Sequence, residues 1–174
     1  MEEQGSGWLS LTTKFDLSTT GRAYVPVFIK PYDRIILLNI EFQVDTGADL
    51  TTISKSLLTT RLGYPMEWIK ANAVRDVNRT ISRAGGKKEP AWYVVISIAN
   101  VLGRDLKNWP FYVRMEDERD YPSLLGIDVL SHFNFTVNYG KGYFSAESEP
   151  NPAINLPMLS NQEISTVSSV IEDA

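Results

Sequence analysis

From Tyr24 to Tyr143 the apolar residues come in short runs, rich in β-branched and aromatic side chains and separated by turn residues, with little sustained helical periodicity. Half-buried strands produce that pattern, because alternate side chains face opposite sides of a sheet. The runs predict strands over residues 23–30, 35–44, 74–82, 91–98, 109–115, 133–138 and 142–146. Two short helices are expected, 55–62, stopped by Gly63 and Pro65, and 129–132, just after Gly126. The fold class this predicts is all-β: a closed, barrel-like domain with one or two short helices.

Beyond residue 147 the composition shifts to Ser, Asn, Pro and Glu, and Pro150, Pro152 and Pro157 break any regular ladder. The chain therefore divides into an N-terminal segment, 1–20, a folded domain, 21–147, and a flexible tail, 148–174. Ile154, Leu156, Met158 and Leu159 allow a sharper reading of the tail, as a segment that docks on a partner or is itself cut. No internal repeat is visible.

At 174 residues the chain suits one domain plus a tail, with a core large enough to be stable without staples. There is no cysteine, which excludes disulfides, thiol nucleophiles and thiolate metal sites. A net charge of −4 and a pI near 5.1 argue against a nucleic-acid partner, since only Arg83, Lys87 and Lys88 approach a basic cluster. Residues 1–10 lack the basic region and apolar run of a signal peptide, and the longest apolar stretches are too short to span a bilayer. A cytoplasmic protein with no membrane span is the expectation.

The candidate chemistry lies in Asp45-Thr46-Gly47-Ala48, which ends the predicted strand 35–44 and runs into Thr51-Thr52-Ile53-Ser54. A carboxylate straight after a buried strand, followed by a hydroxyl and a glycine that permits a tight turn, is held rigidly at the edge of a core. Taken alone, the tetrapeptide reads equally well as an ordinary strand-ending turn. Two further segments add to it. Thr80 to Pro90 contains Gly85-Gly86 between two β-rich runs, as a hairpin tip requires, and such a hairpin can fold over a site as a flap. Ser123-Leu124-Leu125-Gly126-Ile127-Asp128-Val129-Leu130 joins an apolar run to a glycine and a short helix.

In that order, and each present once, these segments resemble the retropepsin-like aspartic proteases, of the cellular and bacterial type rather than the typical viral one. The resemblance covers roughly residues 23–146. It implies the retropepsin (acid protease) fold and an aspartic endopeptidase in which a hydrophobic-hydrophobic-Gly segment crosses behind the catalytic loop. No second Asp-Thr-Gly or Asp-Ser-Gly occurs, so the second carboxylate must come from a symmetry mate in a homodimer. Asp45 is then the catalytic residue of each chain, and Thr46, Gly47 and Ala48 form the active-site loop. Asp49, Arg83, Ala84, Gly85 and Gly86 border the substrate or belong to the flap, and Leu125, Gly126 and Asp128 give structural support. The implied partner is a peptide or protein substrate, with no cofactor and no metal. Viral members more often place arginine after the Leu-Leu-Gly glycine, where this chain has Ile127. The alternative is a catalytically silent module that keeps the fold for dimerisation or peptide binding.

Other residues read as structural. His132, the one histidine, lacks a serine or cysteine partner arrangement for catalysis and reads as structural or solvated; Glu116, Asp117, Glu118 and Asp120 read as a solvated loop. Trp92, Tyr93, Trp109, Phe111 and Tyr112 are expected in the core, at the flap base or against a pocket.

Overall fold

The alternation seen in the sequence becomes a pair of sheets. The computed structural model describes residues 11–82, 86, 88–115 and 120–148. In chain order they form β1 (Leu11–Asp16), β2 (Tyr24–Ile29), β3 (Leu38–Val44), α1 (Lys55–Thr60), α2 (Met66–Asn72), β4 (Val74–Ser82), β5 (Lys88–Val101), β6 (Arg104–Val113), β7 (Leu124–Leu125), α3 (Ile127–Leu130), β8 (Asn134–Asn138) and β9 (Tyr143–Ser148). No helix among them is long and apolar enough to cross a membrane.

The larger sheet runs β4-β5-β2-β3-β7, with β6 also paired to β5. In the β2–β3 hairpin Val25, Val27, Ile29, Ile40 and Phe42 are buried, whereas Tyr24, Phe28, Asn39 and Glu41 face outward, so the period of two fixes the register. β7 lies parallel to β3, with Gln43 opposite Leu124 and Val44 opposite Leu125. Ladders between these strands leave the sheet open. Isolated bridges at Thr52, to Tyr112 of β6 and to Leu124 of β7, link its two ends. Four main-chain hydrogen bonds of 2.9–3.0 Å make that link: Thr52 N–H to Leu124, Leu124 N–H to Thr52, Ile53 N–H to Tyr112 and Tyr112 N–H to Thr51. The circuit encloses a core containing Phe42, Ile53, Val94, Ile96, Phe111 and Leu125.

The smaller sheet, β1-β9-β8, is antiparallel throughout. Its β1 is a strand that the apolar pattern of the sequence leaves unassigned, because Thr12, Thr13, Lys14 and Asp16 dilute the signal. Phe15 pairs with Phe144 of β9, and their rings are 6.3 Å apart. Residues 149–174 and the tip positions Arg83, Ala84 and Gly85 lie outside the described residues.

Two other elements depart from expectation. The β5–β6 hairpin is longer than the predicted strands, because it turns at Leu102 and Gly103, both with positive φ (50° and 82°). A two-residue turn of this hand suits the twist of a hairpin, but leucine is not a residue that announces it. Along β5 the burial phase also slips. Val94 and Ile96 are buried, Ser97 and Ile98 are both exposed, and Ala99 and Val101 are buried again, near Asn108 with φ 49° on β6. A strict period of two therefore ends too early. The second departure is α2, which follows Pro65 and buries Ile69, with Glu67 in its first turn and Lys70 in its last. Seven residues are too few for a helical period to stand out.

Asp120 corrects the reading of an acidic solvated loop. Its carboxylate receives Ser54 Oγ (2.7 Å), Lys55 N–H (2.6 Å) and Ser56 N–H (2.7 Å), capping the start of α1 from a distant part of the chain. Burial acts to raise its pKa, but these hydrogen bonds outweigh it and hold the carboxyl below its ordinary value. A depressed pKa stabilises the fold above the unfolded value and loses that contribution as pH falls through the folded one. Asp120→Ala should lower stability by about 1 kcal/mol near neutral pH, as loss of a helix cap does. In thermal melts the gap between wild type and variant should hold from neutral pH to roughly pH 5 and close on further acidification below about pH 4.

Candidate active site

The loop after β3 is built from main-chain hydrogen bonds. Val44 N–H donates to Ala23, just before β2 (2.8 Å), and Asp45 N–H to Leu125 of β7 (3.0 Å), so the end of β3 is held on both sides and the carboxylate-bearing residue is tied to β7. Ala48 N–H closes the turn on Asp45 O at 3.2 Å. Gly47 N–H donates to Asp45 Oδ1 at 2.9 Å, which aims the carboxylate. A Cβ on residue 47 would sit 3.3 Å from that oxygen, so glycine here leaves the carboxylate its space. Asp45 and Ala48 are half-buried; Thr46, Gly47 and Asp49 are exposed.

Behind the loop crosses β7, and Gly126 makes the crossing possible. A Cβ on Gly126 would lie 2.6 Å from Leu50 C, 2.7 Å from Leu50 O and 2.9 Å from Ala48 O, all main-chain atoms. The Gly126 N–H donates to Thr51 Oγ1 (3.0 Å), and that hydroxyl donates in turn to Asp128 Oδ1 (2.6 Å). Thr51 N–H and Val129 N–H complete the shell of the Asp128 carboxylate at 3.1 and 2.9 Å. Burial is the main influence on Asp128 and moves its carboxyl above the usual carboxylate range, against the opposing pull of these hydrogen bonds. From α3, Ile127 N–H reaches Ala48 O (2.8 Å) and Asp128 N–H reaches Asp49 O (3.2 Å). Leu125 is fully buried beneath the loop. The roles of Thr51 and of Asp120 were not evident in the sequence. The local signal for Thr51 was only its place in Thr51-Thr52-Ile53-Ser54, and its partners lie in a segment far along the chain.

Next to the loop is a groove of about 790 Å³, lined by Asp49, Leu50, β4 at Asn78 to Thr80, β6 around Trp109 to Tyr112, and α3 with the residues following it as far as His132. The β4–β5 register shifts between Asp76 and Thr80, and this bulge places Arg79 beside β6. Tyr112 Oη donates to Asp76 Oδ2 at 2.8 Å, Arg79 Nη1 donates to Tyr112 Oη at 3.2 Å, and Arg79 Nε lies 3.7 Å from Asp76 Oδ2. Burial first, and Asp76 second, push the Tyr112 hydroxyl far above its ordinary pKa, so it remains a donor. On the other strand of the hairpin, Glu89 accepts from Arg114 (3.0 Å) and from Tyr121 (3.1 Å). The hairpin base is thus pinned on both strands. Gly86, with φ 79°, is the described residue of its tip.

Trp109 is buried in the groove wall with its ring edge-on to His132, 6.3 Å away. Its indole N–H has no acceptor among the described residues. Burial and the Arg104 guanidinium lower the His132 pKa, which keeps the imidazole neutral near neutral pH. No three His, Asp or Glu side chains gather as a metal site among the described residues.

Residues 38–132 match the family described as "gag-polyprotein putative aspartyl protease". A solved structure, that of a retropepsin-like aspartic protease from Rickettsia conorii, superposes with a TM-score of 0.55 at 22% identity, over 80% of this chain and 94% of that one. The likeness shows a retropepsin-like, mostly β fold. A search of curated proteins returned no match.

Two substitutions test the loop's support. Gly126→Ala forces a Cβ into main-chain atoms that cannot rotate away, and should cost about 3 kcal/mol. Thr51→Val leaves Gly126 N–H without its acceptor and Asp128 without a donor, and should cost about 1–3 kcal/mol. Urea unfolding at neutral pH measures both, and a loss below about 0.5 kcal/mol for either would contradict the packing described.

Proposed function

This chain belongs to the gag-polyprotein aspartyl protease family, and from that premise we propose that it is an aspartic endopeptidase whose site is completed by a second copy of itself. The carrying observation is the Asp45 loop. One carboxylate oxygen is fixed by Gly47 N–H, the side chain is only half-buried, and the chain contains a single such loop. Peptide hydrolysis by carboxylates alone needs two of them sharing one proton, and a two-fold axis between paired Asp45 side chains supplies the second. Thr46 and Gly47, exposed in the single chain, then face the partner.

In this reading the ionised Asp45 removes a proton from a water held between the two chains, and the oxygen attacks the scissile carbonyl carbon. The protonated Asp45 gives its proton to the carbonyl oxygen, producing a tetrahedral diol. Collapse of the diol breaks the C–N bond as the amine nitrogen takes the proton that the first Asp45 drew from water and a diol hydroxyl returns a proton to the second, leaving a carboxylic acid, an amine and the pair with its one shared proton. The pinned flap base and the groove beside Asp49 bound the space where an extended peptide lies.

Asp45→Asn should abolish cleavage of a casein or random-peptide substrate while sedimentation still reports the wild-type dimer. Wild-type kcat/KM should form a bell on the acidic side of neutrality, since activity requires one proton per pair. Unchanged cleavage by Asp45→Asn would remove the mechanism.

A further inference from the structure

The groove beside the loop contains a charge that the fold leaves uncompensated. Arg79 is committed to Asp76 and Tyr112, and the Asp128 carboxylate accepts from Thr51 and Val129. Asp49 is different. Its backbone carbonyl accepts from Asp128 N–H, but its exposed carboxylate makes no hydrogen bond or ion pair among the described residues. Ile127, which follows Gly126 and lines the same groove, adds apolar surface there and no cation. Leu50 and Pro110 extend that apolar surface, with the buried Trp109 behind it.

An apolar wall that ends at one unpaired carboxylate matches a side chain with a long hydrocarbon stem and a positive head. We infer that, within the protease reading above, this groove is a specificity pocket for a lysine or arginine of the substrate, with Asp49 as the recognising charge. The stem lies along Leu50, Pro110 and Ile127, and the ammonium or guanidinium meets Asp49. A volume of about 790 Å³ holds such a side chain and the peptide beside it. Aspartate or glutamate meets repulsion at Asp49, and a short side chain leaves the wall wet. The pocket charge and the catalytic carboxylate sit on one loop, whose Ala48 and Asp49 carbonyls are tied to α3, so a bound side chain is held in a fixed relation to the bond to be cut.

The test uses fluorogenic peptides that differ only in carrying lysine, arginine, norleucine or glutamate at each position around the bond cut. Wild-type kcat/KM is read for each peptide, and the binding of the same peptides, fluorescently labelled, is read on the uncleaving Asp45→Asn chain. At one position lysine or arginine should exceed norleucine by roughly two- to fivefold, and the advantage should shrink as salt rises. Asp49→Asn should bring the ratio close to one, as should Ile127→Arg, which offers Asp49 an internal cation. Asp49→Lys should turn the preference toward glutamate. The Asp49 side chain makes no hydrogen bond or ion pair among the described residues, so these Asp49 variants should melt like the wild type. No basic preference at any position, or one that survives Asp49→Asn, overturns the pocket while leaving the protease standing. Asp49-dependent binding of basic peptides on the Asp45→Asn chain, with a wild type that cuts none of them, removes the protease reading and retains the pocket. Neither cleavage nor binding removes both.

Discussion

The structure depends on one close crossing, that of the Leu124-Leu125-Gly126 segment behind the loop that begins at Asp45. Two backbones pass so near each other there that only a residue without a side chain fits between Ala48 and Leu50. The approach is held by a hydroxyl acting both ways, Thr51 Oγ1 accepting from Gly126 N–H and donating to Asp128. A neighbouring pair of bridges at Thr52 joins β6 to β7, so the same few residues brace the loop and close the circuit of the larger sheet. Buried polar networks of this kind are costly when half-made and rigid when complete, which suits a loop that must hold a carboxylate still.

Much of this was legible in the chain. The β2–β3 hairpin, α1, the hairpin of β4 and β5, and the closing strands β8 and β9 follow from period-two alternation and from glycine and proline punctuation. The Asp45 loop was legible because a carboxylate, a hydroxyl and a glycine followed a buried run. Other parts were hidden for identifiable reasons. β1 is mostly polar in sequence and is a strand because β9 offers it a partner. β7 has only two residues, and its parallel pairing with β3 is a tertiary fact. Asp120 looked solvated because its three donors come from the start of a helix far away in the chain. Long-range hydrogen bonds leave no local periodicity to read.

The site so assembled has an asymmetric character. On its inner side Asp45 N–H is paired to β7 and the Ala48 and Asp49 carbonyls to α3, while on its outer side Thr46 and Gly47 are exposed and Asp45 Oδ2 has no partner among the described residues. An ordinary turn has no need of so much support beneath so open a surface. In the proposed account the open side is where the second copy completes the pair of carboxylates, and the groove at Asp49 is where the substrate declares its charge.

The most direct measurement is the separation of the two Asp45 carboxylates in a crystal structure of the assembled protein. The account predicts a two-fold axis between them and oxygens within hydrogen-bonding range, roughly 3 Å apart, sharing one proton. Carboxylates facing away from each other in a stable dimer, or separated by more than a water can bridge, would contradict it.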